Sequence, residues 1–429
     1  MLKYLWTVTQ DLFVTVTLVT LMHAALNRVC GKTGRRVHAG AIIASVLASA
    51  ALAAVKGTTN KIVSSHWNHY IYAVTLAFII AFVVLCLIFG RREDDRKSAG
   101  KTLLAVAGAG VSAVVIFYHL PGVMLYPFNF NTMGNGYLSG YYMVRMAGYL
   151  IALVLLLAYS RLVYLCALHI KPVSTVTGLL TAATVIDAVY CFGRFFVPWV
   201  NRAKWLNWPV KYDAERFGFI GDWMMFTANQ SMLFIWAIAA IAAAVLVICF
   251  MQNVRVTEPW ENPAQRRKLR ANHRHYRRMA GVAAAVLLVF IGFMTAVKGY
   301  DTRVIELSAP ETYTVDEENI YVPLEAVNDF HLHRFEYRTE NGVDVRWIVV
   351  RKPNSAAFGV GLDACDVCGN AGYYERGGQV VCRRCDVVMN INTIGFKGGC
   401  NPIPLGYEVG DGNLIFKLSD IVAGEREFK

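Results

Sequence analysis

Long apolar stretches separated by short polar ones fill the first 298 residues of the chain. A helix needs about 20 consecutive apolar residues to cross the hydrocarbon layer of a bilayer, and eight stretches come close to that length. They lie roughly at 5–27, 38–56, 69–90, 101–120, 144–168, 173–197, 226–251 and 279–298. The pattern therefore predicts an all-α membrane bundle of about eight transmembrane helices over residues 1–298.

In the C-terminal part the apolar runs shorten and alternate with polar residues, as is typical of strands with one buried face. His331–Arg338 and Val343–Val350 flank an Asn-Gly dipeptide, which favours a tight hairpin turn. Phe358–Leu362 has the composition of a third strand. Residues 299–429 are therefore predicted to form a small, mainly-β domain.

The charge of the chain is divided between these two parts. Residues 1–298 carry 29 lysines and arginines against 10 aspartates and glutamates, whereas residues 299–429 carry 13 against 20. The basic residues concentrate in the connections at 28–36, 90–101 and 252–278, which fall on one side of an eight-helix bundle. The positive-inside rule makes that side cytoplasmic, so both termini and the acidic domain are expected outside the cytoplasm of a multi-pass plasma-membrane protein. The topology of a protein in a lipid bilayer explains the basic residues, so no nucleic-acid partner is expected.

The second predicted span stands out by its small side chains. Alanine, glycine and serine recur between residues 39 and 51. Because small residues let helix backbones approach closely, this helix is expected at the centre of the bundle or at an interface with a partner.

Few ionisable side chains lie within the predicted spans, and a charge inside a bilayer is costly enough to mark a functional candidate. Asp187, near the middle of the sixth span, is the clearest case, with pairing to a polar neighbour as the alternative explanation. The histidines fall into an outer layer of His66, His69 and His119 and an inner layer of His23, His38 and His169. Two such layers suit two haems, so electron transfer across the bilayer is one hypothesis.

Five cysteines lie in the C-terminal domain: Cys365, Cys368, Cys382, Cys385 and Cys400. The first four form two Cys-x-x-Cys pairs separated by thirteen residues. Two residues between cysteines let both thiolates turn toward one ion, and two such pairs joined by a hairpin give a tetrahedral sulfur site. Cys400 follows two glycines, where the backbone can approach closely, and is a candidate for a fifth, replaceable ligand. The sequence thus predicts a Cys-x-x-Cys/Cys-x-x-Cys metal ribbon in the mainly-β domain.

Spacing alone leaves the bound species open. Zinc would give a purely structural ribbon, whereas iron or an iron–sulfur cluster would give redox function. Two disulfides are an alternative on the oxidising side of a membrane, although five cysteines do not pair evenly. His331 and His333 share one face of the predicted strand and are more typical of strand surface than of metal ligands. Packing explains the cysteines in or beside the spans, which are Cys30, Cys86, Cys166, Cys191 and Cys249.

Four runs of sequence around these cysteines resemble the FtrD-like membrane iron–sulfur protein family: Leu362–Cys368, Val381–Cys385, Asn390–Gly395 and Gly398–Pro402. The resemblance covers about residues 320–418, and the helical part is similar to the longer members only in layout. It implies an iron–sulfur cluster or iron as the cofactor and a role in bacterial high-affinity iron uptake. It also implies two partners, an iron permease and a periplasmic iron-binding protein. The Arg-Glu-x-x-Glu motif expected of an iron permease is missing, so this chain is not expected to be the ion-conducting subunit.

The leading hypothesis is a membrane component of an iron uptake system whose cysteine-ligated centre hands electrons or iron toward a partner permease. Its expected activity is electron transfer rather than that of a classical enzyme. One alternative is a scaffold subunit with a structural zinc ribbon, and the other is a haem-containing transmembrane oxidoreductase.

Overall fold

A computed structural model of the chain describes residues 1–59, 64–90, 99–130, 140–205, 223, 226, 227, 229–303, 305–353, 355–384 and 387–429. The chain divides into two compact units, Met1–Thr302 and Arg303–Lys429. The first unit is helical and the second is mainly β. Most of the basic connection predicted at 90–101 lies outside the described residues.

Among the described residues of the first unit, eight helices are long and apolar enough to cross a membrane, which confirms the predicted bundle. Its helical segments are α1 (Leu2–Val29), α2 (Gly31–Thr58), α3 (Ser64–Phe89), α4 (Ala99–Met124), the short α5 (Tyr126–Asn129), α6 (Gly140–His169), α7 (Val173–Trp205), α8 (Ser231–Gln252) and α9 (Pro263–Gly292). A π-helical turn, Phe293–Val297, continues α9 into α10 (Lys298–Asp301).

The first helix, α1, lies at the centre of the bundle and packs against α2, α4, α6, α7 and α8. Of its apolar window 67% is buried, compared with 22% in α2. Ile43 and Leu47 of α2 are exposed on the outside of the bundle. The prediction that α2 lies at the centre of the bundle is therefore wrong. The close contact of α2 with α4 buries only a narrow face of α2. An interface with a partner stays a prediction.

The basic segment 252–278, predicted as a connection, is largely helical, which is a correction. The helix α9 begins at Pro263, well before the predicted span. The Asn262 side chain caps it by accepting a hydrogen bond from the backbone N–H of Gln265 at 2.8 Å. Proline suits the first helical position because it has no N–H to leave unpaired. The charged residues thus extend a membrane helix beyond its apolar part.

The second unit contains two four-stranded sheets and a separate hairpin within its described residues. The strands are β1 (Thr314–Val315), β2 (Asn319–Pro323), β3 (His333–Arg338), β4 (Asp344–Arg351), β5 (Phe358–Leu362), β6 (Tyr373–Arg376), β7 (Gln379–Cys382), β8 (Ile403–Pro404), β9 (Glu408–Gly410) and β10 (Asn413–Lys417). One sheet has the order β1-β2-β10-β9, the other has the order β3-β4-β5-β8, and β6 pairs with β7. A short helix, α11 (Leu418–Ala423), follows β10.

The strand β4 separates two hydrophobic cores, because both of its faces are buried. Trp347 and Val349 belong to a core shared by the two sheets, where Trp347 stacks on Phe335 with ring centroids 5.6 Å apart. Ile348 and Val350 belong to a second core, which contains the cysteines. Since side chains alternate along a strand, one sheet carries a sandwich core on one face and the candidate metal centre on the other.

The hairpin and the third strand predicted for this domain are confirmed. β3 pairs with β4 from His333 opposite Val349 to Arg338 opposite Asp344, and β4 pairs with β5. In the turn, Gly342 has a φ of +77°, a left-handed conformation that glycine adopts without steric cost. The resulting sheet is the platform on which the cysteine-bearing segments lie.

Candidate metal centre

The first Cys-x-x-Cys pair forms a tight turn directly after β5. Cys365 and Gly369 exchange two backbone hydrogen bonds of 2.9 and 3.1 Å, and Gly369 takes the left-handed conformation with a φ of +64°. Within the turn, the backbone N–H of Cys368 donates a hydrogen bond to Sγ of Cys365 at 3.1 Å. This hydrogen bond fixes the position of the Cys365 sulfur within the turn.

The β6–β7 hairpin carries a third cysteine to the first two. Gly377 and Gly378 form its turn with φ values of +60° and +73°, which suits a two-residue hairpin connection. Cys382 ends β7 and pairs with Tyr373 at the start of β6. The sulfur atoms of Cys365, Cys368 and Cys382 all lie within 4.8 Å of one another, and the three side chains are buried. The sequence spacing therefore does bring three of the predicted ligands together.

Cys385 and Cys400 complete the predicted set of ligands. Cys385 lies outside the described residues, so its part in the site stays a prediction. Cys400 is buried in the same core as the other cysteines, but its sulfur is not one of the three that lie within 4.8 Å of one another. The pairing of β8 with β5 brings it there, since the N–H of Ile403 donates to the carbonyl of Ala364 at 3.0 Å. Its role as a fifth, replaceable ligand stays a prediction.

A buried ion pair holds the backbone that precedes the first cysteine turn. The Asp363 carboxylate accepts hydrogen bonds from Nε of Arg334 at 3.0 Å and from Nε of Arg346 at 3.3 Å. It also accepts one from the backbone N–H of Tyr373 at 2.7 Å. The Arg334 and Asp363 side chains are 1% and 0% exposed. One carboxylate thus ties β3, β4 and β6 to the chain segment that enters the cysteine turn.

Sequence reasoning missed this ion pair. The available indication was Asp363 itself, which follows a buried apolar strand and stands two residues before Cys365. A carboxylate in such a place has to be paired, because an unpaired buried charge is very costly. Its partner Arg334 is 29 residues away in sequence, and only the pairing of β3, β4 and β5 brings the two together.

Tyr373 lies against the cysteines and is almost completely buried. Its hydroxyl donates a hydrogen bond to the carbonyl oxygen of Cys400 at 2.6 Å. Burial above all, and then the neighbouring sulfur groups of Cys365, Cys382 and Cys400, raise the pKa of Tyr373. The phenol therefore stays neutral and connects the Cys400 segment to the three neighbouring cysteines without adding charge.

One of the two histidines expected on the strand surface, His333, is instead buried, and this is a correction. His333 is buried, with Nδ1 3.0 Å from Glu311 and Nε2 2.7 Å from Asp329. His331 precedes the strand and is exposed, and its Nδ1 lies 2.9 Å from Glu375. The hydrogen bond to Glu375 raises the pKa of His331. Because both ring nitrogens of His333 contact carboxylates, that side chain is not free to bind a metal.

The spacing of the three sulfur atoms fits a single metal ion. A thiolate–zinc bond is about 2.3 Å long, so two thiolates on one tetrahedral ion stand about 3.8 Å apart. The three sulfur separations, all within 4.8 Å, allow such an arrangement. In a [4Fe–4S] cluster each cysteine binds its own iron atom, and in a [2Fe–2S] cluster no more than two cysteines share one, so three cysteine sulfurs do not all come this close together. The structure joins none of the nine described cysteines to another in a disulfide, so it gives the disulfide alternative no support among them.

The inner-layer histidines proposed as haem ligands form hydrogen bonds with each other or with a neighbouring side chain. The Nδ1 atoms of His23 and His38 are 2.9 Å apart, which leaves no space for an iron atom between them. Nε2 of His169 contacts Oδ1 of Asn253 at 3.0 Å. In the outer layer, the side chains of His66 and His69 lie outside what the structure describes. The described inner histidines therefore do not favour haem.

Asp187 lines a cavity of about 260 Å³ inside the helical bundle. Its carboxylate is buried, and its hydrogen-bond partner among the described residues is the Cys191 thiol, 3.9 Å away. Asp11, His119 and Arg194 line the same cavity. A distant thiol is a weak partner for a membrane-buried carboxylate, so Asp187 stays a functional candidate.

A family model described as "Membrane iron-sulfur containing protein FtrD-like" matches residues 327–428. The match contains all five cysteines of the predicted site, and it confirms the resemblance of the C-terminal region to that family. It does not extend to the helical unit. No match was found among curated proteins or among solved structures.

Proposed function

We propose that this chain is a membrane component of a bacterial high-affinity iron uptake system, with a cysteine-ligated iron centre that hands electrons or iron toward a partner permease. Eight apolar helices support the membrane role, and the FtrD-like match supports the link to iron. The observation that carries the proposal is the buried group of three cysteine sulfurs, because cysteine thiolates are the ligands that hold iron–sulfur clusters.

In this proposal, Cys365, Cys368 and Cys382 hold the metal, and Cys385 supplies the fourth thiolate at the Cys-x-x-Cys spacing. Iron or an iron–sulfur cluster bound there supplies one-electron redox chemistry. The chain keeps the thiolates buried in an apolar core and anchors the first cysteine turn through Asp363. Such a fixed, water-poor environment limits reorganisation when the charge of a site changes.

A scaffold subunit with a structural zinc ribbon is the second candidate, and the close spacing of the sulfur atoms is the observation that favours it. Zinc and a single iron ion both suit a tetrahedral set of thiolates. Zinc has no redox chemistry, so in that case the domain would stabilise an assembly and transfer no electrons. The metal content of the purified protein separates the two candidates.

The proposal places residues 1–298 in the plasma membrane and residues 299–429 outside the cytoplasm, beside an iron permease and a periplasmic iron-binding protein. The basic segments at 28–36 and 252–278 support this orientation through the positive-inside rule. A reporter that is active only outside the cytoplasm, fused after Lys429, should be active. Activity of a cytoplasm-only reporter at the same position would reverse the orientation and remove the periplasmic partner.

The iron role is tested by growth under iron chelation. A strain that lacks this chain should grow slowly in chelated medium, and the intact chain or added iron should restore growth. The C382S variant should fail to restore it, whereas C86S, the same change in the helical bundle, should succeed. Equal growth of the deletion strain and its parent would contradict the iron role, and full restoration by C382S would show that the cysteine centre is dispensable.

A further inference from the structure

Five arginines line one cavity of about 520 Å³ at the end of the helical bundle where α8 leads into α9. They are Arg255, Arg266, Arg270, Arg274 and Arg277. The cavity begins at Asn253, directly after the last residue of α8. Such a concentration of guanidinium groups around one space is a recognition surface for an anion with several oxygen atoms.

These arginines have no carboxylate partner within the described ranges. None of the ion pairs formed there involves any of the five. Arg266 lies over the ring of Trp260 at 4.8 Å from its centroid. Glu258, an acid of the same connection, is bonded to His273 at 2.9 Å instead. The positive charge of the cavity is therefore not neutralised by this part of the chain.

A second observation points to a ligand in the same place. His273 also lines the cavity and is buried, with 7% of its surface exposed. Its Nε2 contacts Glu258, but its buried Nδ1 has no hydrogen-bond partner among the described residues. A buried polar atom without a partner is unusual in a folded protein and calls for a group that the chain does not itself provide.

The positions of the arginines along α9 indicate the level of the cavity relative to the membrane. Arg266, Arg270, Arg274 and Arg277 follow one another at intervals of four, four and three residues, so they share one face of α9. Arg277 stands two residues before Met279, where the apolar part of this helix begins. The cavity thus lies at the level where a membrane helix leaves the hydrocarbon layer and phospholipid headgroups begin.

We propose that this cavity binds a phosphate-bearing anion, and that the anion is the headgroup of an anionic phospholipid. A phosphate diester offers oxygens that suit forked contacts from several arginines. The depth of the site favours the lipid over a dissolved phosphate compound. The positive-inside rule explains the presence of basic residues on this side, but it does not require them to converge on one cavity. This site is separate from the proposed iron function.

The test uses the full chain, purified in dodecyl maltoside and stripped of lipid. Fluorescent phosphatidylglycerol is titrated against it, with fluorescent phosphatidylcholine as the neutral lipid and inorganic phosphate and ATP as soluble competitors. The R270Q/R274Q variant should bind phosphatidylglycerol roughly 30-fold more weakly, from the contribution of two arginines at an anionic surface. Size-exclusion profiles and thermal unfolding confirm that the variants are folded.

The matched control is R267Q/K268Q, which removes two positive charges from the same helix. Neither of these residues lines the cavity, so affinity should change by less than about threefold, the effect of long-range charge alone. An equal loss in both double variants would overturn the site and leave only general attraction. Phosphatidylcholine binding as tightly as phosphatidylglycerol would overturn it as well. Arginine-dependent binding of phosphate or ATP without lipid binding would show that the ligand is a dissolved phosphate compound and not a lipid headgroup.

Discussion

Replacing Asp363 with asparagine tests whether the buried ion pair holds the candidate metal centre together. Asparagine keeps the shape of the side chain and an oxygen that can accept the N–H of Tyr373, 2.7 Å away in the structure. It removes the negative charge, so Arg334, 1% exposed, would remain charged and buried without its counter-ion. The substitution therefore isolates the charge interaction from packing.

The expected cost follows from this burial. Breaking a buried ion pair by removing one partner costs about 3–5 kcal/mol, since the remaining charge stays desolvated. For a domain of this size, each kcal/mol lowers the melting temperature by about 4 °C, so the D363N variant should melt about 12–20 °C below the parent. The contact of Arg346 with the same carboxylate, at 3.3 Å, adds to this loss.

Urea unfolding and thermal melting of residues 303–429 measure the effect, since this compact unit contains two hydrophobic cores of its own. D344N is the matched control. Asp344 is paired with Arg338 at 3.7 Å, and the two side chains are 43% and 73% exposed. An exposed pair of this kind is worth about 0–1 kcal/mol, so D344N should unfold almost like the parent.

Two results would contradict a stabilising role of the buried Asp363 charge. The first is a loss of less than about 1 kcal/mol in D363N, which would mean that Arg334 finds another partner or water. The second is an equal loss in D344N and D363N, which would mean that burial does not determine how much these ion pairs contribute to the free energy of unfolding.

Three further predictions concern other side chains. The C400S variant should keep its metal but restore growth under iron limitation poorly, whereas C382S should lose the metal; equal metal loss would make Cys400 an ordinary ligand. Because Glu375 raises the pKa of His331, the contribution of this pair to stability should be complete below the ordinary histidine pKa of about 6.5 and vanish as pH rises through the raised value. H331N should therefore destabilise residues 303–429 in urea at about pH 5.5 and much less at about pH 9, and a constant difference would exclude the ion pair as its source. D187N should lower iron-dependent growth at an unchanged amount of protein in the membrane, and normal growth would leave Asp187 a packing role.

The membrane helices were predictable because a single local property decides them. An apolar run of about 20 residues has no stable place other than a membrane or a large core. The extent of α9 was not predictable in the same way, since its first half is strongly charged and its low hydropathy predicts a connection rather than a membrane helix. The Asn262-Pro263 start was visible in the sequence, but a capping pair alone does not show that a charged helix follows.

The position of α2 shows a limit of reasoning from small residues. They permit close approach of two helices, but they do not say how many neighbours a helix has. In the structure, Ile43 and Leu47 of α2 are exposed, whereas α1, with larger side chains such as Phe13, occupies the centre.

In the C-terminal domain, local patterns predicted the hairpins and the convergence of cysteines, because both depend on short segments. Cys365 and Cys368 meet through one turn, and Cys382 joins them through a glycine hairpin. The sandwich depends instead on β2 pairing with β10, for example Ile320 opposite Phe416, and no local pattern specifies that contact. The Asp363–Arg334 pair and the burial of His333 follow from such distant pairings and were missed for the same reason.

The most direct test of the central claim is the metal content of the full chain, purified without oxygen. Iron, zinc and acid-labile sulfide are measured together with visible absorption, in the parent and in C365S, C368S and C382S. We predict stoichiometric iron with visible absorption in the parent and loss of both in each variant. Iron without sulfide would identify a single ion, in keeping with the 4.8 Å limit on the sulfur separations, and iron with sulfide a cluster. Stoichiometric zinc, or metal-free protein with Cys365 and Cys368 joined in a disulfide, would contradict the proposed electron-transfer centre.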